Sequence, residues 1–166
     1  VLNQPETALP AAGDLSAYAK RAQPLDVHLD RVEEAAQRIV AKLDLPAPLA
    51  EAVCLAARWH DQGKDRRHWQ KAIGNLQGEP LAKSGHARFD RRFTKGYRHE
   101  FGSLLDAETD PILNQHPERD LILHLIAAHH GYARPGFPER AYDRTVAFGR
   151  NETAARSVLT RFAELQ

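Results

Sequence analysis

Methionine is absent from all 166 residues, position 1 included. A translation product begins with one, so the chain is expected to be processed, trimmed or an excerpt of a longer protein. Cysteine occurs once, as Cys54, which excludes an internal disulfide framework. Set among Ala52, Val53, Leu55 and Ala56, it is expected to be a small buried hydrophobe in a reducing compartment. No apolar run approaches the ~20 residues that span a bilayer, and no charged start leads into an apolar signal segment. A cytoplasmic location with no membrane partner is the default expectation. Alternating strand patterns and internal repeats are missing as well.

What is present suits one compact domain. Apolar content of 42% and charged content of 27% are those of a globular chain, and a domain of this length buries roughly two-thirds of its unfolded surface. The net charge of +1 gives no hint of a polyanionic partner. Its distribution does: Lys64, Arg66, Arg67, Lys71, Lys83, Arg88, Arg91, Arg92, Lys95 and Arg98 crowd into one third of the chain. A segment of that kind favours a polyphosphate or nucleic-acid partner, because each neutralised phosphate releases counterions.

Apolar periodicity predicts helices throughout. Residues 1 to 24, with Pro5, Pro10 and Gly13, read as an irregular leader or linker, and residues 25 to 166 as the domain. Residues 25 to 43 form an amphipathic helix on which His28 precedes Val32, Ala35 and Ile39 by four, seven and eleven residues, so its ring points inward. Pro46 and Pro48 open a second helix, which brings Leu49, Val53, Ala56 and His60 to one face. Gly63 reads as a stop signal. A short helix over 64 to 75 carries Trp69 and Ile73 and is broken by Gly74, and residues 76 to 96 read as a long loop. His99 enters a helix that buries Phe101, Leu104 and Leu105 and ends at Pro111. A nearly apolar helix from about Pro117 closes on His129, His130 and Gly131, a loop spans 132 to 140, and 152 to 165 form a last amphipathic helix.

The segment R-W-H-D-Q-G-K at 58 to 64 organises the rest, because an adjacent His60 and Asp61 is a metal-site signature. The imidazole offers one nitrogen to a divalent cation, and the carboxylate has two oxygens with which to bridge two cations. Further ligands recur in similar contexts: of nine histidines, His28, His99, His129 and His130 sit at helix ends or on inward faces. An adjacent histidine pair at the end of an apolar helix is costly to bury without partners, and a metal supplies them. His68, His86, His116 and His124 lie in polar or basic surroundings and read as surface residues.

The ordered series H-L-D-R-V at 28 to 32 (from His28), W-H-D-Q-G-K, R-H-E at 98 to 100 and A-A-H-H-G at 127 to 131, with separations of 32, 39 and 30 residues, resembles the HD superfamily. Within it, the double histidine and Lys64 resemble the HD nuclease domain of the CRISPR-associated type I nuclease-helicase, over roughly residues 25 to 135. The resemblance implies an all-α helical bundle around a central metal site that nicks and degrades single-stranded DNA, delivered by a helicase domain or subunit and a crRNA-guided surveillance complex. His28, His60 and Asp61 would hold one metal, while Asp61 as bridge, with His99, His129 and His130, would hold the second. Asp61 and Lys64 would be the catalytic pair, with Lys64 beside the phosphate. Two cations activate a shared water for attack on phosphorus. So many neutral imidazoles favour manganese, cobalt, nickel or iron over magnesium. Arg88, Arg91, Arg92, Lys95 and Arg98 would track the strand's backbone.

The family pattern ends with a further aspartate on a later helix. Asp143 alone follows His130, and its setting, A-Y-D-R-T, does not resemble that helix, so the chain is expected to stop before the ligand and Asp143 to be structural. Two other functions share these residues: an HD phosphohydrolase of nucleotides or cyclic nucleotides, and a non-catalytic HD docking module with a structural metal.

Overall fold

The computed structural model describes residues 17–86 and 89–165. In chain order these form β1 (Gln23–Pro24), α1 (Leu25–Val40), α2 (Ala47–Trp59), a 3₁₀ turn (Gln62–Asp65), α3 (Arg67–Ala72), β2 (Leu81–Lys83), α4 (Arg91–Thr94), α5 (His99–Ala107), α6 (Pro111–Gln115), α7 (Arg119–Ala128), a second 3₁₀ turn (Glu139–Ala141) and α8 (Phe148–Glu164). The fold is mostly α-helical, as the periodicity predicts.

Local chemistry sets the boundaries. Pro24 and Pro46 occupy the caps before α1 and α2 with extended dihedrals, and Asp26 and Arg38 lie in the first and last turns of α1, where the helix dipole favours each sign. The α1 helix stops at Val40, three residues short of expectation. Backbone amides of Lys42 and Leu43 turn back to Ile39 and Val40, and Asp44 takes a positive φ of 47°, so Ile39 and Leu43 are left exposed. Pro111 does not end the helix that begins at His99. That helix closes at Ala107, and Pro111 instead opens α6 beneath Asp110, whose carboxylate accepts from the amides of Ile112 and Leu113.

The main core joins α2, α5, α7 and α8 through Phe101, Leu104, Leu105, Leu113, Ile122, Ile126 and Val158. Helix α5 is the central one: eight of its nine residues are buried. A second cluster gathers Ala17, Trp69, Ile73 and Tyr97. Residues 17 to 24, expected to be part of an irregular leader, are tied into the fold. Ala17 is buried, Ala19 and Ser84 exchange backbone bonds with the partner segment, and β1 pairs antiparallel with β2, Gln23 opposite Lys83. The expectation of no strand and of an unbroken loop over 76 to 96 is corrected by this short ribbon and by α4. Its residues are too few for alternation to register in the sequence. The earlier part of the leader, residues 1 to 16, lies outside the described residues.

Candidate metal centre

Three helix ends converge on Asp61. His60 caps the C-terminus of α2, His99 is the first residue of α5, His129 caps α7 with His130 following it, and His28 reaches in from α1. These are the six residues singled out as ligands, and the fold brings all of them together as two groups that share Asp61: His28, His60 and Asp61, and Asp61, His99, His129 and His130. Within each group the ligand atoms lie within 4.8 Å of one another.

Asp61, 2% exposed, faces the two groups with different oxygens. Oδ2 lies 3.1 Å from His28 Nε2 and 3.3 Å from His60 Nε2, and Oδ1 lies 3.0 Å from His99 Nε2 and 3.7 Å from His129 Nε2. A carboxylate addressed in this way suits a bridging ligand.

Hydrogen bonds behind the rings decide which nitrogens look inward. His60 Nδ1 donates to the carbonyl of Ala57 and His129 Nδ1 to that of Ile126, each at 2.7 Å. A carbonyl only accepts, so both protons are on Nδ1 and both Nε2 atoms present lone pairs. His99 Nδ1 faces the Glu100 carboxylate at 3.4 Å, which favours the same tautomer. Among the described residues, buried Asp61 Oδ1, His99 Nε2 and His129 Nε2 have no hydrogen-bond partner. Lone pairs converging on lone pairs in a buried site are unfavourable unless a cation stands among them. The residues fit a metal on this evidence, and the cluster could hold one.

The charge balance supports the same reading. Burial works against ionisation of Asp61, but the Lys64 ammonium outweighs it and holds the carboxyl well below its usual range. Burial pushes His99 and His130 down to about 4, so both rings are neutral near pH 7, the state in which imidazole binds metals.

Lys64 sits differently from expectation. It is fully buried, donates to Asp61 Oδ2 at 2.6 Å, and its ammonium lies 5.6 Å from the centre of the Trp69 ring. In this position it neutralises Asp61 from behind, and an incoming phosphate does not reach it. The ammonium also makes the two sides of Asp61 unequal, since it stands against the oxygen that serves His28 and His60 while Oδ1 is left to the other group.

The turn carrying His60 and Asp61 is clamped by residues that no motif marks. Ser103 Oγ donates to the His60 carbonyl at 2.7 Å and accepts from the Gly63 amide at 2.8 Å. Tyr97 Oη donates to the Gly63 carbonyl at 2.8 Å, and Gln70 Nε2 to that of Lys64 at 2.6 Å. Gly63 is not a left-handed stop signal. A Cβ there would stand 2.1 Å from the His99 carbonyl and 2.6 Å from the Ser103 amide, so its role is to let the turn lie directly on α5. Glu100 is also missed by periodicity: fully buried, it is ion-paired with Arg98 and stands behind His99.

Other expectations divide. Asp143 joins neither ligand group. Its Oδ2 accepts from Arg66 Nε at 2.5 Å and its Oδ1 from the Thr145 amide at 2.9 Å, a structural use. Cys54 is half-buried and not fully buried. His86 is exposed, but His68, His116 and His124 are not: His68 stacks edge-on against Tyr97 and His124 lies against Phe162. Their sequence neighbours are polar, yet the fold turns each ring onto an aromatic or a helix end. Of the basic residues, Arg91, Arg92 and Lys95 are exposed, Arg92 is paired with Asp90, and Arg98 is half-buried with its guanidinium 3.8 Å above the Tyr132 ring. Arg88 lies outside the described residues.

No helix among the described residues is long and apolar enough to cross a membrane. Compared with protein-family models, curated proteins and solved structures, the chain matches none of them, so what it does is argued from the chemistry of this centre.

Proposed function

We propose that the chain is a metal-dependent phosphodiesterase, a nuclease that nicks and degrades single-stranded DNA in type I CRISPR interference. The observation that carries this reading is the division of Asp61 between two histidine groups, one on each carboxylate oxygen.

In this reading His28, His60 and Asp61 would hold one divalent cation, and Asp61 with His99, His129 and His130 a second. Neutral imidazoles favour manganese, cobalt, nickel or iron. When bound, such cations supply Lewis-acid stabilisation of charge on phosphorus and acidify water. The chain's own residues hold the geometry: the Nδ1 hydrogen bonds of His60 and His129 keep the Nε2 lone pairs inward, Lys64 keeps Asp61 anionic, and the Ser103 and Tyr97 clamps keep the turn seated on α5. Arg91 and Arg98 line a cleft beside His99, and with exposed Arg92 and Lys95 they would draw in a polyanion. A helicase domain or subunit and a crRNA-guided surveillance complex would deliver the strand in the cytoplasm.

The test is hydrolysis of single-stranded DNA, mononucleotides and cyclic nucleotides, each with manganese and with chelator. Manganese-dependent cleavage of the DNA alone is the expected result. Turnover of only the small nucleotides would replace the nuclease by a phosphohydrolase, and no turnover with full metal loading would leave a docking module.

A further inference from the structure

A cleft of about 330 Å³ opens beside His99, and its wall includes Arg91, Arg98, Tyr132 and Arg140. His99 therefore belongs both to this cleft and to the metal cluster, and Tyr132 follows the ligands His129 and His130 with only Gly131 between. Among the described residues, the lining holds three arginines and no acidic side chain.

Its aromatic component is prepared for stacking. Tyr132 is 36% exposed, and the Arg98 guanidinium, anchored by its ion pair to buried Glu100, lies 3.8 Å over the ring centre. One ring face is thus braced by a cation that is itself fixed, so the orientation of the tyrosine is set before anything binds. Arg140, another wall of the cleft, is exposed, its backbone close against Gly96, where a Cβ would stand 3.0 Å from the Arg140 carbonyl.

Free phosphate would need cations alone. A fixed aromatic face among arginines, adjoining a centre that cuts phosphodiesters, is the recognition chemistry of a nucleotide within a single strand. The volume is at the small end of ligand pockets and suits one nucleotide unit. We propose that this cleft is a nucleotide subsite: the base of the residue flanking the scissile phosphate stacks on Tyr132, and its backbone phosphate is held by Arg140 and Arg91. The proposal deepens the nuclease reading and rests on it for the choice of ligand. It gives Arg91 and Arg98 distinct roles, one a phosphate contact and the other a brace, and it adds Tyr132 and Arg140, which lie outside the basic segment.

Binding of a fluorescent thymidine oligonucleotide and of its abasic counterpart, measured by anisotropy in chelator, tests it. Both substituted residues are exposed, so the fold tolerates their loss. Tyr132→Ala should weaken binding of the thymidine strand about tenfold, the lower part of the range for one stacked base, and leave the abasic strand unaffected; Tyr132→Phe should bind like the wild type. Arg140→Ala should weaken both strands and lower the salt slope by about 0.7, one single-strand phosphate contact. Equal affinity of Tyr132→Ala and wild type for the thymidine strand, or an equal loss on the abasic strand, would overturn the subsite. Cleavage with manganese separates the two readings. Wild-type cleavage without dependence on Tyr132 would remove the subsite and leave the nuclease standing. Tyr132-dependent binding without any cleavage would do the reverse, and a wild-type chain that neither binds nor cleaves the strand would end both.

Discussion

Replacing Asp61 by alanine should cost stability as well as activity, because its carboxylate is the counter-charge of a buried cation. Lys64 has no exposed surface and its ammonium donates to Asp61 at 2.6 Å, so water cannot take over when the carboxylate is removed. Breaking a buried ion pair from one side costs about 3–5 kcal/mol, a large part of the roughly 5–15 kcal/mol that holds a domain folded. With a urea dependence of about 2 kcal/mol per molar, the unfolding midpoint should fall by roughly 2 M. If the cost arises from breaking this buried pair, Lys64→Met on top of Asp61→Ala should recover most of it, since an apolar side chain of similar length fills the same space. Both variants should lose manganese binding and cleavage, so activity cannot separate them and stability can. The assay is urea unfolding followed by circular dichroism in chelator, with manganese binding by calorimetry. An Asp61→Ala midpoint equal to wild type, or a double variant no more stable than the single one, would refute the assignment of Lys64 as counter-charge. Wild-type cleavage by Asp61→Ala would refute the two-metal centre itself.

Gly63→Ala should lower both stability and metal affinity, because its Cβ would fall 2.1 Å from the His99 carbonyl and only backbone movement relieves that; unaltered manganese affinity would show that the close approach of turn and helix does not position the ligands. Glu100→Gln should weaken metal binding by about 10- to 100-fold, the usual range for a group that orients a ligating histidine, and an unchanged isotherm would remove Glu100 from that role. In chelator, stability should be highest above about pH 7 and fall in two stages as protons are added. His99 and His130 ionise near 6.5 when unfolded but only at about 4 in the fold, so between those values the unfolded chain takes protons first. Burial opposes the charge of Glu100, yet His99 and Arg98 hold it down to about 2, so its contribution, like that of Asp61, is lost as pH falls from the ordinary carboxylate range toward that value. Urea midpoints at about pH 7.5, 5.5 and 4 check the sign, and a midpoint that rises on acidification would show it reversed.

The helices and the kinds of atoms at the centre were legible in the residues themselves. Proline before Leu25 and Ala47, three- and four-residue apolar spacing, and histidines at helix ends are local properties that survive without a fold to read them in. Where a helix stopped was not legible: α1 ends at Val40 and Asp44 takes a left-handed turn, neither of which apolar Leu43 announces. The expected surface histidines failed for the same reason, since His68 and His124 acquire their aromatic neighbours, Tyr97 and Phe162, from distant parts of the chain. Lys64 was a lysine near a phosphate site until packing buried it, and Gly63 was a helix stop until α5 lay across it. Which oxygen of Asp61 meets which histidine, and that Ser103, Tyr97 and Gln70 clamp the turn, depend on contacts between residues 6 to 43 positions apart. Periodicity is a relation along one segment, so the sequence alone determined the helices and the donor set. Burial, tautomer and the direction of a lone pair are relations between segments, and only the tertiary structure decided those.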